Sequence, residues 1–200
     1  MSPNDSNMPV ENSQTDLIQK NRELYVYLHM NEYNKLKDEQ IKRIGFRDMN
    51  IVLVAFGSVI SFAIGDESIR SYALLALPVV CFVIGWTYLV NDEKISAIGR
   101  YIRTGLEDKL QNSINTDDTD TDPLFGWEVV HRTDKLKKRR KFFQFLVDEI
   151  VFCFSGIVAL IIFWHLTPEM SWPVQILFWV EAALLVSLGI WIYEYATIKK

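Results

Sequence analysis

Residues 50–91 place two uncharged runs either side of a short polar break, a pattern few soluble folds can absorb. Ile51–Gly65 carries no charge, Asp66-Glu67-Ser68-Ile69-Arg70 is polar, and Ser71–Val90 is again uncharged. Ile150–Leu166 and Trp172–Tyr193 repeat the plan near the other end. A bilayer core of about 30 Å needs roughly 20 helical residues. Ser71–Val90 meets that length directly, while the first and third runs need to begin somewhat earlier than their charge-free parts. Four such blocks in one soluble domain would leave too little polar surface to cover them. Lipid offers no partner for backbone N–H and C=O groups, so a span satisfies them internally. The runs do not alternate as barrel strands do. The expected fold class is all-α: a polytopic membrane protein whose four transmembrane helices form two hairpins with cytoplasmic helical extensions.

The expected organisation follows from where the charges lie. Residues 1–14 are polar and lack an apolar signal region, and read as a disordered tail. Residues 15–111 hold a first cytoplasmic helix, a hairpin at about 47–65 and 71–90, and a second cytoplasmic helix. Residues 112–124 include NSINTDDTDTDP, an acidic linker with too few apolar groups to offset its ordering entropy. Its Asp118, Asp120 and Asp122 imitate the start of a calcium loop, but the glycine is missing and Val129 stands at the twelfth position. Residues 125–200 carry a basic segment and the second hairpin, at about 146–166 and 172–195.

Lysine and arginine set the threading. Seven lie in residues 1–50, eleven in 91–149, and Lys199 and Lys200 close the sequence; Arg70 alone sits in either short loop. The positive-inside rule counts these residues near span ends and largely ignores acids. It predicts both termini and the middle region in the cytoplasm, whatever the overall charge of −4. Tyr72, Trp164 and Trp172 fit an outer aromatic belt, and Trp86, Tyr88, Trp191, Tyr193 and Tyr195 an inner one.

Two helical stripes flank the first hairpin. Val26, Met30, Tyr33, Ile41 and Ile44 share one face before it, interrupted by Lys37. Ile95, Ile98, Ile102 and Leu106, continued by Leu110, form a cleaner one after it. An antiparallel pair packed through these stripes is the economical expectation, and Ile95, Ile98, Ile102 and Leu106 are the candidate cytoplasmic interface. A partner groove or an oligomer is the alternative.

Glu181 stands out within the fourth run, about ten residues deep. An acid there is costly unless it faces the bundle or is neutral. Ser155 and Ser58 fall at similar depth, so Glu181, Ser155 and Ser58 form a candidate intramembrane polar site. One reading is a proton or cation site; the other is a neutral acid hydrogen-bonded to a serine. Arg47 and Asp148 are matched in depth and could pair. Gly57, Ser61 and Gly65 recur at the spacing that lets helices approach closely, within the monomer or between copies. Lys135, Lys137, Lys138, Arg139, Arg140 and Lys141 precede the third span. They are topogenic and also candidate contacts to anionic headgroups, where each contributes about 1 kcal/mol.

No signature of catalysis is present: no GxSxG, HExxH, P-loop or GxGxxG. The Asp-Glu pairs at 38, 66, 92 and 148 are spread along the chain. Cys81 and Cys153 lie in apolar runs and read as packing residues, and three scattered histidines do not make a zinc site. The expectation is no enzyme, no cofactor, no metal and no nucleic-acid partner.

Trp86, Asn91, Asp92, Ile95, Ile98, Gly99, Tyr101 and Ile102 together form a W-x4-N-D-x2-I-x2-I-G-x-Y-I pattern. It resembles a motif of small bacterial integral-membrane proteins, and the upstream Glu32-Tyr33, Leu36 and Arg43 are similar too. The resemblance covers roughly residues 20–110 and implies a bacterial inner-membrane setting; it carries no activity across. The functional expectation is a scaffold or signal-transmitting membrane component acting through its cytoplasmic helices. Its partners would be the lipid bilayer and a homo-oligomer or cytoplasmic protein. The alternative is a small oligomeric channel or pore-forming effector.

Overall fold

The computed structural model describes residues 8–114 and 137–198. These form α1 (Met8–Ala63), α2 (Glu67–Tyr101), a π-helical segment (Ile102–Leu106), α3 (Glu107–Ile114), α4 (Lys137–Asp148), a second π-helical segment (Glu149–Phe154), α5 (Ser155–Leu166) and α6 (Trp172–Ile198). No strand occurs among the described residues. Four helical stretches are long and apolar enough to cross a membrane: Gln14–Ala63, Ile69–Ser113, Phe142–Leu166 and Trp172–Thr197. α1 begins inside the segment read as a tail, and α3 runs into the start of the segment read as a linker. The Asp118–Asp122 acidic run, the segment after it and Lys135 lie outside the described residues.

The polar break is tighter than the sequence implied. Glu67–Arg70 is already the first turn of α2, and only Ile64-Gly65-Asp66 separates it from α1. Asp66 explains this. Its carboxylate accepts the Ile69 N–H at 3.1 Å and its carbonyl accepts the Arg70 N–H at 2.9 Å. That is N-cap chemistry, which satisfies donors left without partners at a helix start. The second break, Thr167–Ser171, falls where the composition placed it.

The described residues belong to two compact units, Lys42–Ile95 with Asp134–Lys200, and Met1–Ile41 with Ser96–Thr133. The core of the first is built mainly from α2, α5 and α6. Leu74, Leu77, Cys81 and Tyr88 pack with Phe152, Ala159, Leu160 and Phe163 and with Phe178, Leu185, Leu188 and Ile192. α1 adds Val54 to this cluster, with Ile51 packed against it. Its apolar window is 11% buried against 39% for that of α2, so α1 is the peripheral member and leaves Phe56, Val59 and Ile60 exposed.

Close approach in this unit uses glycines other than the expected ones. A β-carbon at Gly85 would stand 2.7 Å from Leu188 Cδ2 and 3.2 Å from Phe152 Cβ, and one at Gly156 would stand 2.8 Å from Leu185 Cδ1. Gly57 and Gly65 have nothing within 4 Å of that position, and Ser61 donates to the Gly57 carbonyl of its own helix. Gly57 and Gly65 therefore admit no close approach among the described residues, although Gly57 and Ser61 are half-buried. The second π segment sits at the same contact. Its looser turn buries both Phe152 and Cys153 against the bundle.

In the other unit the N-terminal part of α1 lies beside the segment from Ser96. Arg22 Nε donates to the Ser113 carbonyl, Tyr101 Oη donates to Glu32 Oε1 at 2.8 Å, and Gly99 lies against the Gln40 side chain. Positions rise along one segment as they fall along the other, so the segments run in opposite directions. Ile102, Leu106 and Leu110 are fully buried and Ile98 is half-buried; Ile95, the last residue of the first unit's α2 part, is half-buried within that unit. The α1 face is shifted from the expected one. Val26 and Tyr33 are half-buried, but Ile41 and Met30 are exposed, and His29 and Leu36 take the inward places. A 3.6-residue period explains the difference. Val26, His29, Tyr33, Leu36 and Gln40 keep one face, whereas Ile41 falls off it.

Candidate polar sites

Two groups of polar side chains have no ordinary place in an apolar bundle. The first lies where the apolar runs of α1 and α2 give way to charged sequence. Arg47 Nη1 donates to Asp92 Oδ1 at 2.9 Å, and its Nε and Nη2 reach Asp48 Oδ1 at 3.1 Å. One turn earlier, Arg43 Nη1 donates to Asn91 Oδ1 at 3.2 Å. Gln144 on α4 donates to Tyr88 Oη at 3.0 Å, and the Tyr88 ring tilts against Phe152. Asp148 is buried at 6% exposure, and its Oδ1 has no hydrogen-bond partner among the described residues. The expected Arg47–Asp148 pair is thus replaced by Arg47–Asp92. Depth was legible in the sequence, and partner choice was not. Glu149 and Cys153 both lie against Gly189, which leaves room for them on α6.

This arrangement gives the W-x4-N-D-x2-I-x2-I-G-x-Y-I positions physical roles. Trp86 meets Trp191 edge to face at 5.8 Å. Asn91 and Asp92 accept from Arg43 and Arg47 of α1. In the other unit, Gly99 borders Gln40, Tyr101 reaches Glu32, and Ile102 is core. His29 Nδ1 also contacts Glu32, at 3.1 Å. These two hydrogen bonds, from His29 and then Tyr101, hold the Glu32 carboxyl below the usual range.

The second site is Glu181. It is 2% exposed, and its Oε2 has no hydrogen-bond partner among the described residues. The serines at similar depth are otherwise engaged. Ser58 Oγ donates to the Val54 carbonyl at 2.7 Å, and Ser155 Oγ donates to the Val151 carbonyl and lies 3.6 Å from Cys81 Sγ. Such back-bonding satisfies a hydroxyl inside its own helix. The three candidate residues therefore do not form a hydrogen-bonded triad. An ionised carboxylate with a bare buried oxygen is expensive in lipid. Glu181→Gln is accordingly expected to leave thermal stability in detergent within about 0.5 kcal/mol of the parent or to raise it, since the neutral amide keeps shape and polarity. A loss beyond about 2 kcal/mol would mean that the carboxylate holds a charge partner.

Among the candidate headgroup contacts, Arg139 and Arg140 are exposed on α4, and Arg139 lies over the Phe143 ring at 5.6 Å. No family model, curated protein or solved structure matches this chain, and the functional reading rests on the geometry of these sites.

Proposed function

We propose that this chain is a non-enzymatic multi-pass protein of a bacterial inner membrane, a scaffold or signal-transmitting component that acts through its cytoplasmic helices. The two helical hairpins would stand in the bilayer with both termini and the middle region in the cytoplasm. The observation that carries the reading is the pair of ladders between residues of α1 and α2. Arg43–Asn91 and Arg47–Asp92 tie the helices where their apolar runs end, and α1 and α2 both continue beyond these ties without a break. An unbroken helix transmits rotation or displacement along its axis, which an exposed loop cannot do. The occupant of the cytoplasmic face would be a protein partner or a second copy of the chain.

Topology is the first test. Reporter fusions after residues 68, 120, 169 and 200 are expected to read outside, inside, outside and inside, because lysine and arginine concentrate in the segments assigned to the cytoplasm. A cytoplasmic signal at 68 would overturn the threading. A small channel or pore-forming effector is the second reading, favoured by the buried Glu181. Liposome flux separates the two. A scaffold is expected to give no proton or monovalent-cation flux above protein-free vesicles. Flux that is present in the parent and lost in a stable Glu181→Gln variant would move the assignment to the channel.

A further inference from the structure

Arg70 is the lone cation of either short loop region, and its surroundings are not those of a topogenic charge. It lines an open cleft of about 410 Å³ whose other walls are Phe62, Leu74, Val158, Ile162 and Leu166. That volume lies within the roughly 300–1,000 Å³ typical of sites that order a ligand. The Arg70 side chain is 27% exposed, and its Nε is buried with no hydrogen-bond partner among the described residues. Glu67 Oε1 lies 3.8 Å from Nη2, beyond hydrogen-bonding distance, on a side chain 84% exposed. A pair of that kind contributes little. Asp66 turns an oxygen to the Ile69 N–H instead.

A guanidinium stays charged and presents five donors in a planar fork. In an apolar cleft it calls for an anion with two oxygens, and phosphate geometry matches the fork. The remaining walls are aliphatic and aromatic and offer nothing to a small ion. An occupant must carry a phosphate at one end and a hydrocarbon at the other. We propose that this cleft is a phospholipid site, with the headgroup phosphodiester on Arg70 and an acyl chain laid along Phe62, Val158 and Ile162. The site rests on the reading that these helices span a bilayer, and it lies at the end of the spans opposite the start of α4. A lipid bound there would bridge α1, which contributes little to the core, to α2 and α5.

The test uses the full chain purified in a mild non-ionic detergent, with phosphatidylglycerol as the lipid probe and native mass spectrometry as the readout. The wild type is expected to retain one phosphatidylglycerol through detergent exchange, and inorganic phosphate should not displace it. Arg70→Gln is expected to bind about tenfold more weakly, the usual effect of losing a charge-assisted hydrogen bond. Val158→Trp, which fills the apolar wall and leaves Arg70 in place, should also lose the lipid. No retained lipid in the wild type, or equal retention in Arg70→Gln, overturns the site. Displacement by inorganic phosphate would reduce it to an anion site without the acyl chain. Carbonate washing of membranes separates this failure from failure of the membrane reading. A protein released by carbonate is not integral, whereas one that stays but shows no lipid preference lacks only the site.

Discussion

Ile102→Asp is expected to unfold the unit formed by the N-terminal part of α1 and the segment from Ser96, while Thr104→Asp leaves it intact. Ile102 is fully buried, with Leu106 and Leu110 one and two turns on, and Glu107 nearby is itself buried. An aspartate there removes the burial of an isoleucine side chain, about 1.5–3 kcal/mol, and sets an unpaired charge among apolar groups. The sum exceeds about 4 kcal/mol, large against the marginal stability of a small unit. Thr104 is exposed, and its hydroxyl bonds only the Arg100 carbonyl of its own helix, so the same charge there stays in solvent. Limited proteolysis of the two variants in detergent is the measurement. Cleavage within residues 20–41 should accelerate sharply for Ile102→Asp alone. Equal rates in both would mean that the stripe is not buried. Arg103 would be a poor control, because it is half-buried beside Gly99.

Much of this fold was legible because it depends on composition more than on geometry. Uncharged runs of the right length identify four apolar helices whatever packs beside them. The Ile102–Leu106–Leu110 stripe was legible for a related reason: outside the apolar runs a hydrophobic residue at a helical period has few other uses. The phase of each apolar helix about its own axis was not legible. In water, apolar residues mark the buried face. In a lipid-like setting both faces are apolar, and small-residue spacing is the remaining guide. That guide pointed to Gly57, Ser61 and Gly65, where Gly57 and Gly65 have no described neighbour within 4 Å of a β-carbon, and passed over Gly85, a lone glycine between Ile84 and Trp86 with no small partner a turn away. Polar partners were lost in the same way. Glu181 stood out because a single acid interrupts a long apolar run, but nothing in the sequence tells that the serines at its depth are already bonded to their own carbonyls. Asn91-Asp92 read as a helix exit, and only the position of α1 shows them to be the acceptors for Arg43 and Arg47.

The two kinds of glycine should respond in opposite directions to the same small change. In Gly85→Ala the new methyl lies 2.7 Å from Leu188 Cδ2 and 3.2 Å from both Phe152 Cβ and Cγ. Leu188 can turn the end of its side chain, but Phe152 Cβ is fixed to the backbone of the π segment, so α2 itself must move. Overpacking of this order costs about 1–3 kcal/mol. Gly57→Ala meets nothing within 4 Å. It removes only the conformational freedom of a mid-helix glycine, which stabilises by up to about 1 kcal/mol. Thermal unfolding in one detergent should therefore rank Gly57→Ala at or above the parent and Gly85→Ala below it. A Gly85→Ala protein as stable as the parent would show that α2 does not approach Leu188 and Phe152 as closely as 2.7–3.2 Å. Oligomeric state measured on the same samples gives the Gly57 arm a second use. If the Gly57–Ser61–Gly65 stripe joins two copies of the chain, the added methyl lies in that interface, and Gly57→Ala should lower the dimer fraction while monomer stability is kept. A stable variant with unchanged oligomeric state would leave that face to lipid.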